Sequence, residues 1–214
     1  MKHLQFRKLR NAQLGARVVK ALESRNMEAY YVATKEEALA KALELIPQES
    51  SISWGGTMSA IEIGLLSVLR EGNYEVYDRA DAKTEEEHRA IMLKAFDVDY
   101  YIGSVNGMSE DGVLINVDGQ SNRVAAYAYG PRHVLLIVGM NKVCKTLDDA
   151  MSRARNEASP INSQRFGIEP PCVKTGSCSD CKHVHCICCN IVVTRFQRTK
   201  DRMKVILVDD VLGF

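Results

Sequence analysis

The chain has 214 residues, 28 Lys and Arg against 27 Asp and Glu, and 46% hydrophobic residues. That length fits one α/β domain, or one domain with an appendage, and allows a sizeable core. A formal net charge of +1 with no charged block argues against a nucleic-acid footprint or a polybasic membrane patch. The stretch from Met1 to Arg10 is too charged for a signal peptide, and no apolar run approaches the roughly 18 residues that span a bilayer. A soluble cytoplasmic protein, without membrane or nucleic acid as partner, is expected.

Taken in chain order, apolar residues at three- and four-residue steps (Leu9, Ala12, Ala16, Val19, Leu22) predict a helix over Phe6–Asn26. Glu28–Ala33 reads as a strand. Thr34 caps a helix with Glu36 and Glu37 in its first turn, which runs to Ile46 and stops at Pro47. Ser51–Trp54 is a short strand, followed by a Gly-Gly loop and an apolar helix, Ala60–Leu69. Tyr74–Tyr77 is another strand, and Thr84 caps a helix ending near Phe96. Asp99–Gly103 and Gly112–Val117 read as strands, with Asp118-Gly119 a turn. Arg123–Tyr129 suits helix or strand. His133–Gly139 is a continuous apolar run, as in a strand buried on both faces. Thr146–Glu157 is helical, and Ile191–Arg195 and Lys204–Val208 are closing strands. Strands separated by helices predict an α/β fold with a mainly parallel sheet.

Several segments suggest chemistry. The loop Gly55-Gly56-Thr57-Met58-Ser59 joins a strand to a helix, so its N–H groups and hydroxyls can bind an anion; a tight turn capped by Ser59 explains it equally well. Ser59-x-x-Glu62 fits a capping box better than catalysis. Ser109-Glu110-Asp111-Gly112 follows a strand end, where a carboxylate can act as nucleophile or base, or simply form a solvated turn. Asn122-Arg123 offers a bidentate clamp for a carboxylate or phosphate, or a surface ion pair. His133 opens a buried strand and is expected to be structural.

Six of the seven cysteines lie between Cys172 and Cys189. In a reducing compartment, clustered thiols point to metal or redox chemistry rather than disulfides. Cys178-Ser-Asp-Cys181 is a CxxC pair, flanked by Cys172 and Cys188. Four such thiolates can hold zinc or an iron–sulfur cluster, with Cys186, Cys189, His183 and His185 as alternates. Reduced thiols in a loose loop, or a labile disulfide, are the competing readings.

Four segments in order, Ser53–Gly64, Ser109–Leu114, Gly119–Arg123 and Gly130–Gly139, resemble the LUD domain, a lactate-utilisation family once classed as a domain of unknown function. The resemblance covers about residues 1–160. It implies a fold of the ribose-phosphate isomerase, glucosamine-phosphate deaminase and CoA-transferase type. It also implies a role near oxidation of L-lactate to pyruvate by a multi-subunit system carrying iron–sulfur clusters. Pro171-Cys172, Thr175-Gly-Ser-Cys178, Ser179-Asp-Cys181 and Ile187-Cys188 are similar to the tail of a stand-alone LUD subgroup. That likeness nominates Cys172, Cys178, Cys181 and Cys188 as ligands. Lys182-His-Val-His-Cys186 departs from the subgroup, which has a polar, proline-containing turn there. Ser109-Glu-Asp-Gly112 is similar to the element that carries the nucleophilic glutamate of some CoA transferases, which nominates Glu110.

The expectation is therefore a single LUD-like domain over residues 1–214, with residues 170–190 a cysteine-rich excursion before the last two strands. It would bind a small anion among Gly55, Gly56, Thr57, Ser59, Glu110, Asn122 and Arg123, with zinc or an iron–sulfur cluster on its tail. Two alternatives stay open. One is an isomerase- or acyl-transferase-type enzyme using Glu110. The other is a non-enzymatic metal-binding or redox subunit that docks on iron–sulfur oxidoreductase subunits.

Overall fold

Parallel pairing dominates the architecture, as the alternation of helices and strands predicts. The computed structural model describes residues 2–214, with side chains from Gln5 onward. The strands β1 (Glu28–Val32), β2 (Ser51–Trp54), β3 (Glu75–Tyr77), β4 (Tyr100–Gly103), β7 (His133–Gly139) and β10 (Met203–Val208) form one sheet in the order β1-β10-β7-β4-β2-β3. All five pairings are parallel. Helices α1 (Lys2–Glu23), α2 (Lys35–Leu45), α3 (Met58–Glu62), α4 (Leu65–Glu71) and α5 (Glu85–Lys94) connect or flank these strands.

The central strand β7 is apolar throughout because both its faces are covered. Val134, Leu136 and Val138 pack with Leu14, Val18 and Leu22 of α1. Leu135 and Ile137 pack on the opposite side with Ala38, Ala42, Leu65 and Leu69. Each apolar residue here leaves water completely or nearly so, at roughly 1.5–3 kcal/mol per large side chain. Threonine caps start the helices as expected: Thr34 Oγ1 accepts from Glu37 N and Thr84 Oγ1 from Glu87 N, each at 3.1 Å.

A second sheet departs from the expectation. Strands β5 (Gly107–Ser109), β6 (Leu114–Asp118), β8 (Val143–Cys144) and β9 (Asn190–Thr194) pair in the order β8-β5-β6-β9. Here β6 runs antiparallel to both β5 and β9. The two closing strands therefore separate: β10 enters the parallel sheet and β9 the second one. Strands β5 and β8, three and two residues long, are too short to show a period. The ambiguous segment after Asp118 is a helix, α6 (Asn122–Ala128).

The expected helix over Thr146–Glu157 is also more broken than its pattern suggests. It comprises α7 (Leu147–Arg153), a π-helical turn over Ala154–Ala158, and α8 (Ser159–Ser163). Pro160, the second residue of α8, has no N–H to continue an α-helical ladder from the preceding turn. Ser159 responds locally, its hydroxyl donating to the Ala154 carbonyl at 2.8 Å. After α8 the chain forms α9 (Pro171–Thr175), and the cysteine segment then runs without regular structure to β9.

Gly107 sets how closely α7 lies on the second sheet: a Cβ there would stand 2.6 Å from the Ala150 carbonyl oxygen. Gly107→Ala is expected to lower stability by about 1–3 kcal/mol through overpacking. Urea denaturation should show a lower midpoint with an unchanged slope.

Candidate functional site

A cavity of about 550 Å³ opens at the carboxyl ends of the parallel strands, where ligands of open α/β sheets sit. Three of its walls follow directly from strand ends. Gly56, Thr57 and Met58 come after β2, Ser104 to Asn106 after β4, and Lys142 after β7. Asp118 to Gln120, Asn122 and Arg123 add a wall from the second sheet and α6.

The glycine loop is shaped by Arg123. A Cβ at residue 55 would lie 2.8 Å from Arg123 Cδ, so Gly55 allows the arginine stem to pass. The guanidinium then donates to Asn116 Oδ1 at 2.8 Å, Ser104 O at 3.3 Å, Asn106 Oδ1 at 3.1 Å and Val117 O at 2.6 Å. Its Nε lies 3.6 Å from Asp118. The expected ligand clamp is thus engaged by protein acceptors, and the surface ion pair is ruled out by burial: only 13% of the side chain is exposed. Asp118 is itself held by the backbone N–H groups of Gln120, Ser121 and Val124.

Ser59 and Glu62 do not form a capping box. The cap of α3 is Thr57, whose Oγ1 accepts from Ala60 N at 3.4 Å. Ser59 is fully buried, and Glu62 instead accepts from Gly213 N at 2.9 Å. The Ser59 hydroxyl lies 3.2 Å from that of Ser104, and Lys142 Nζ donates to both, at 3.1 and 3.0 Å.

Lys142 is the residue that sequence reasoning missed. It is 3% exposed, lines the cavity, and among the described residues has no carboxylate within ion-pairing distance. Burial, aided by the positive charges of Arg153 and Arg123, pushes its amine down to about 7. A signal was present in the sequence: Lys142 closely follows the apolar strand ending at Gly139, at the same strand-end position that flagged the loop near Glu110. Arg79 adds a second cation beside the glycine loop, its Nη2 lying 3.7 Å from where a Gly56 Cβ would be.

The structure does not bring Glu110 to this cavity. Its carboxylate accepts from Arg17 and Lys145, each at 2.9 Å. The Lys145 hydrogen bond, then the charges of Lys145 and Arg17, hold it below the usual carboxylate range. The physical reason is the β5–β6 turn, which directs the Ser109–Gly112 element toward α1 and away from the strand ends: Arg25, in the turn after α1, pairs with Asp111 at 2.7 Å. The expected grouping of Gly55, Glu110 and Arg123 around one ligand is corrected accordingly. Asn122 does line the cavity. His133 stacks on Tyr100 with ring centroids 4.7 Å apart and lies at the other end of its strand.

The cysteine segment builds a second, smaller cavity of about 140 Å³. Cys172, Cys178, Cys181, Cys186 and Cys188 all line it, and all are free thiols. Arg155, Ser159 and Ser163, carried by the π turn and α8, form its opposite wall. Cys189 does not line it; its thiol donates to the Cys186 carbonyl at 3.3 Å. His183 and His185 pack against each other, exposed and outside the cavity. Burial raises the Cys188 thiol and pushes that of Cys186 up to about 11, so neither resembles an activated nucleophile. Among the described residues, no group of three or more His, Cys, Asp or Glu is drawn together closely enough to hold a metal ion.

No helix among the described residues is long and apolar enough to cross a membrane. In three dimensions the chain is similar to a DUF162 family protein from Deinococcus radiodurans, at 12% identity and a TM-score of 0.53, over 92% of this chain and 98% of that one. At that identity the likeness speaks for the fold alone. A ribose 5 phosphate isomerase A from Neisseria gonorrhoeae matches 53% of this chain and 54% of its own, at 16% identity and a TM-score of 0.36, too partial to argue from. Among curated proteins, none matches the chain. A sequence model of the LUD domain matches residues 15–208, a span that holds every strand of both sheets, and the chain belongs to the LUD-domain family.

Proposed function

We propose that this LUD-domain protein binds an organic anion at the strand-end cavity and acts in lactate or related organic-acid metabolism. The metabolic setting is that of the family, and the observation behind the anion site is Lys142: buried, with no carboxylate within ion-pairing distance among the described residues, it faces a cavity at the carboxyl ends of parallel strands. Burying a charge is costly unless it is paired. A ligand carboxylate or phosphate provides that pairing, with Arg79 beside it and Thr57 and Ser104 as hydroxyl partners. In this reading Arg123 positions the walls, and Glu110 stands apart.

We also propose that the cysteine cavity holds an iron–sulfur cluster. Five free thiols around one cavity are a donor set suited to a thiolate-bound group. Zinc accepts the same thiolates and is the alternative occupant, whereas the iron–sulfur setting implied for the lactate-utilisation family favours a cluster. Cys172, Cys178, Cys181 and Cys188 would hold it, with Cys186 within reach; when bound, it supplies one-electron transfer to partner iron–sulfur subunits.

Lys142→Met is expected to abolish binding of L-lactate, pyruvate and inorganic phosphate in calorimetric titration. The same change should stabilise the protein by about 1–3 kcal/mol, because a well-packed apolar chain replaces a buried amine. Glu110→Gln should leave binding unaltered. Retained anion binding by Lys142→Met would remove the central support of the proposal.

Anion affinity should also depend on pH with a defined sign. The anion favours the ammonium form of Lys142, which in the free protein is half lost at about pH 7. Affinity is therefore highest below pH 7 and falls by up to about tenfold per unit above it. A flat profile between pH 6 and 9 would contradict the role given to Lys142.

Protein purified without oxygen should be brown, with visible absorbance and bound iron and sulfide. Cys181→Ser should reduce both. A colourless protein carrying one equivalent of zinc would replace the cluster by a structural metal.

A further inference from the structure

The strand-end cavity is too large for the smallest ligands its charge would suit. A three-carbon acid takes up the space of a few waters at about 30 Å³ each, whereas a cavity of about 550 Å³ falls in the range that buries far larger molecules. The surplus volume has a wall of its own. Arg165, Phe166, Ile168, Ile187 and Phe214 line the same cavity as Lys142. Four belong to the excursion between α8 and β9, and Phe214 follows β10.

This wall begins beside the buried amine. A Cβ at Gly213 would stand 3.2 Å from Lys142 Nζ, and the next residue is Phe214. The Arg165 guanidinium lies 5.6 Å from the Phe214 ring centroid and 5.6 Å from that of Phe166. Two aromatic rings thus gather around one planar cation, and the three side chains together are the platform a ligand would meet on this wall. It is left partly uncovered, with Phe166 52% exposed. Aromatic faces and guanidinium planes favour stacking with another planar group, and covering them removes apolar surface from water.

We propose that the ligand is an organic phosphate or carboxylate bearing a planar aromatic ring, its anionic group at Lys142 and its ring on the Arg165–Phe166–Phe214 platform. The assignment rests on the reading of Lys142 as the anion site. It makes bare three-carbon acids minimal ligands that fill only the polar part of the cavity.

Calorimetric titration of the full chain with phenyl phosphate and methyl phosphate tests it, since both carry the same anionic group. Phenyl phosphate is expected to bind at least about tenfold more tightly, the equivalent of about 1.4 kcal/mol. Phe166→Ala combined with Phe214→Ala should erase that preference while leaving methyl phosphate binding unchanged, which also shows that the variant is folded. Equal affinity of the wild-type protein for the two probes would overturn the planar-ring assignment and leave the anion site standing. A preference that survives loss of both rings would place the ring elsewhere and likewise overturn it. Failure of both probes to bind would bring down the anion reading itself.

Discussion

One side chain, Arg123, ties together segments that the chain order keeps apart. Its stem lies in the notch left by Gly55 after β2, and one nitrogen reaches the Ser104 carbonyl after β4. Its remaining bonds go to Asn106, just before β5, and to Asn116 and Val117 of β6 in the second sheet. The ring of Tyr127, one helical turn further along α6, lies 5.4 Å from the guanidinium, and its hydroxyl bonds both N and O of Ser104. Charge-assisted hydrogen bonds of this kind contribute about 1.5–3 kcal/mol each, and buried acceptors left without them cost a similar amount. The relative position of the parallel sheet, the second sheet and the glycine loop therefore follows from one planar group with fixed donor directions. The cavity is the space this arrangement leaves open.

Lys142 is the converse case, a group the fold tolerates rather than depends upon. Its hydrogen-bond partners are two serine hydroxyls, and the repulsion from Arg153 and Arg123 comes ahead of the weaker attraction from Glu62. Nothing in packing calls for an amine at that point, since an apolar chain of similar length would fill it. Natural proteins keep such costly groups chiefly where function requires them. Arg153 shows what a structural buried cation looks like here: it donates to the carbonyls of Asn141 and Asn106 and reaches Glu157. The contrast between a satisfied arginine and a lysine with no carboxylate within ion-pairing distance among the described residues supports the proposal that the first is scaffold and the second site.

Local chemistry made much of this legible in advance. Alternating strands and helices, the threonine caps and the doubly buried run after His133 all follow from residue periodicity, and each is present in the fold. The second sheet was only half legible: β6 and β9 read as strands, but β5 and β8 are too short to show a period, and nothing local assigns β9 to a different sheet from β10. At the site, position after a strand end is a sound guide, and it flagged both the glycine loop and Glu110. It failed for Glu110 because the competing reading of that element, a turn, is the one the fold adopts: the antiparallel β5–β6 pairing carries the residue toward Arg17 and Lys145. Ser59 was misjudged for a related reason. Its spacing to Glu62 fits a cap, but the helix begins at Met58, which buries the serine beneath Lys142.

The two cavities are not independent. Ile187 lines both, between Cys186 and Cys188 in the chain, and its backbone lies against Gly119, where a Cβ would be 3.3 Å from Ile187 Cα. Just beyond, Asn190 pairs with Asp118 in register and its side chain bonds Ser121. The segment that gathers the thiols is thus stitched to the strand end that supplies Asp118, Gly119 and Asn122 to the larger cavity. Whatever orders the thiols also fixes Ile187, and so part of the wall that a ligand meets. Linkage then requires the reverse: a ligand packed against Ile187 stabilises the arrangement of the cysteines. The excursion is thus less an appendage to the α/β frame than one wall of its larger cavity.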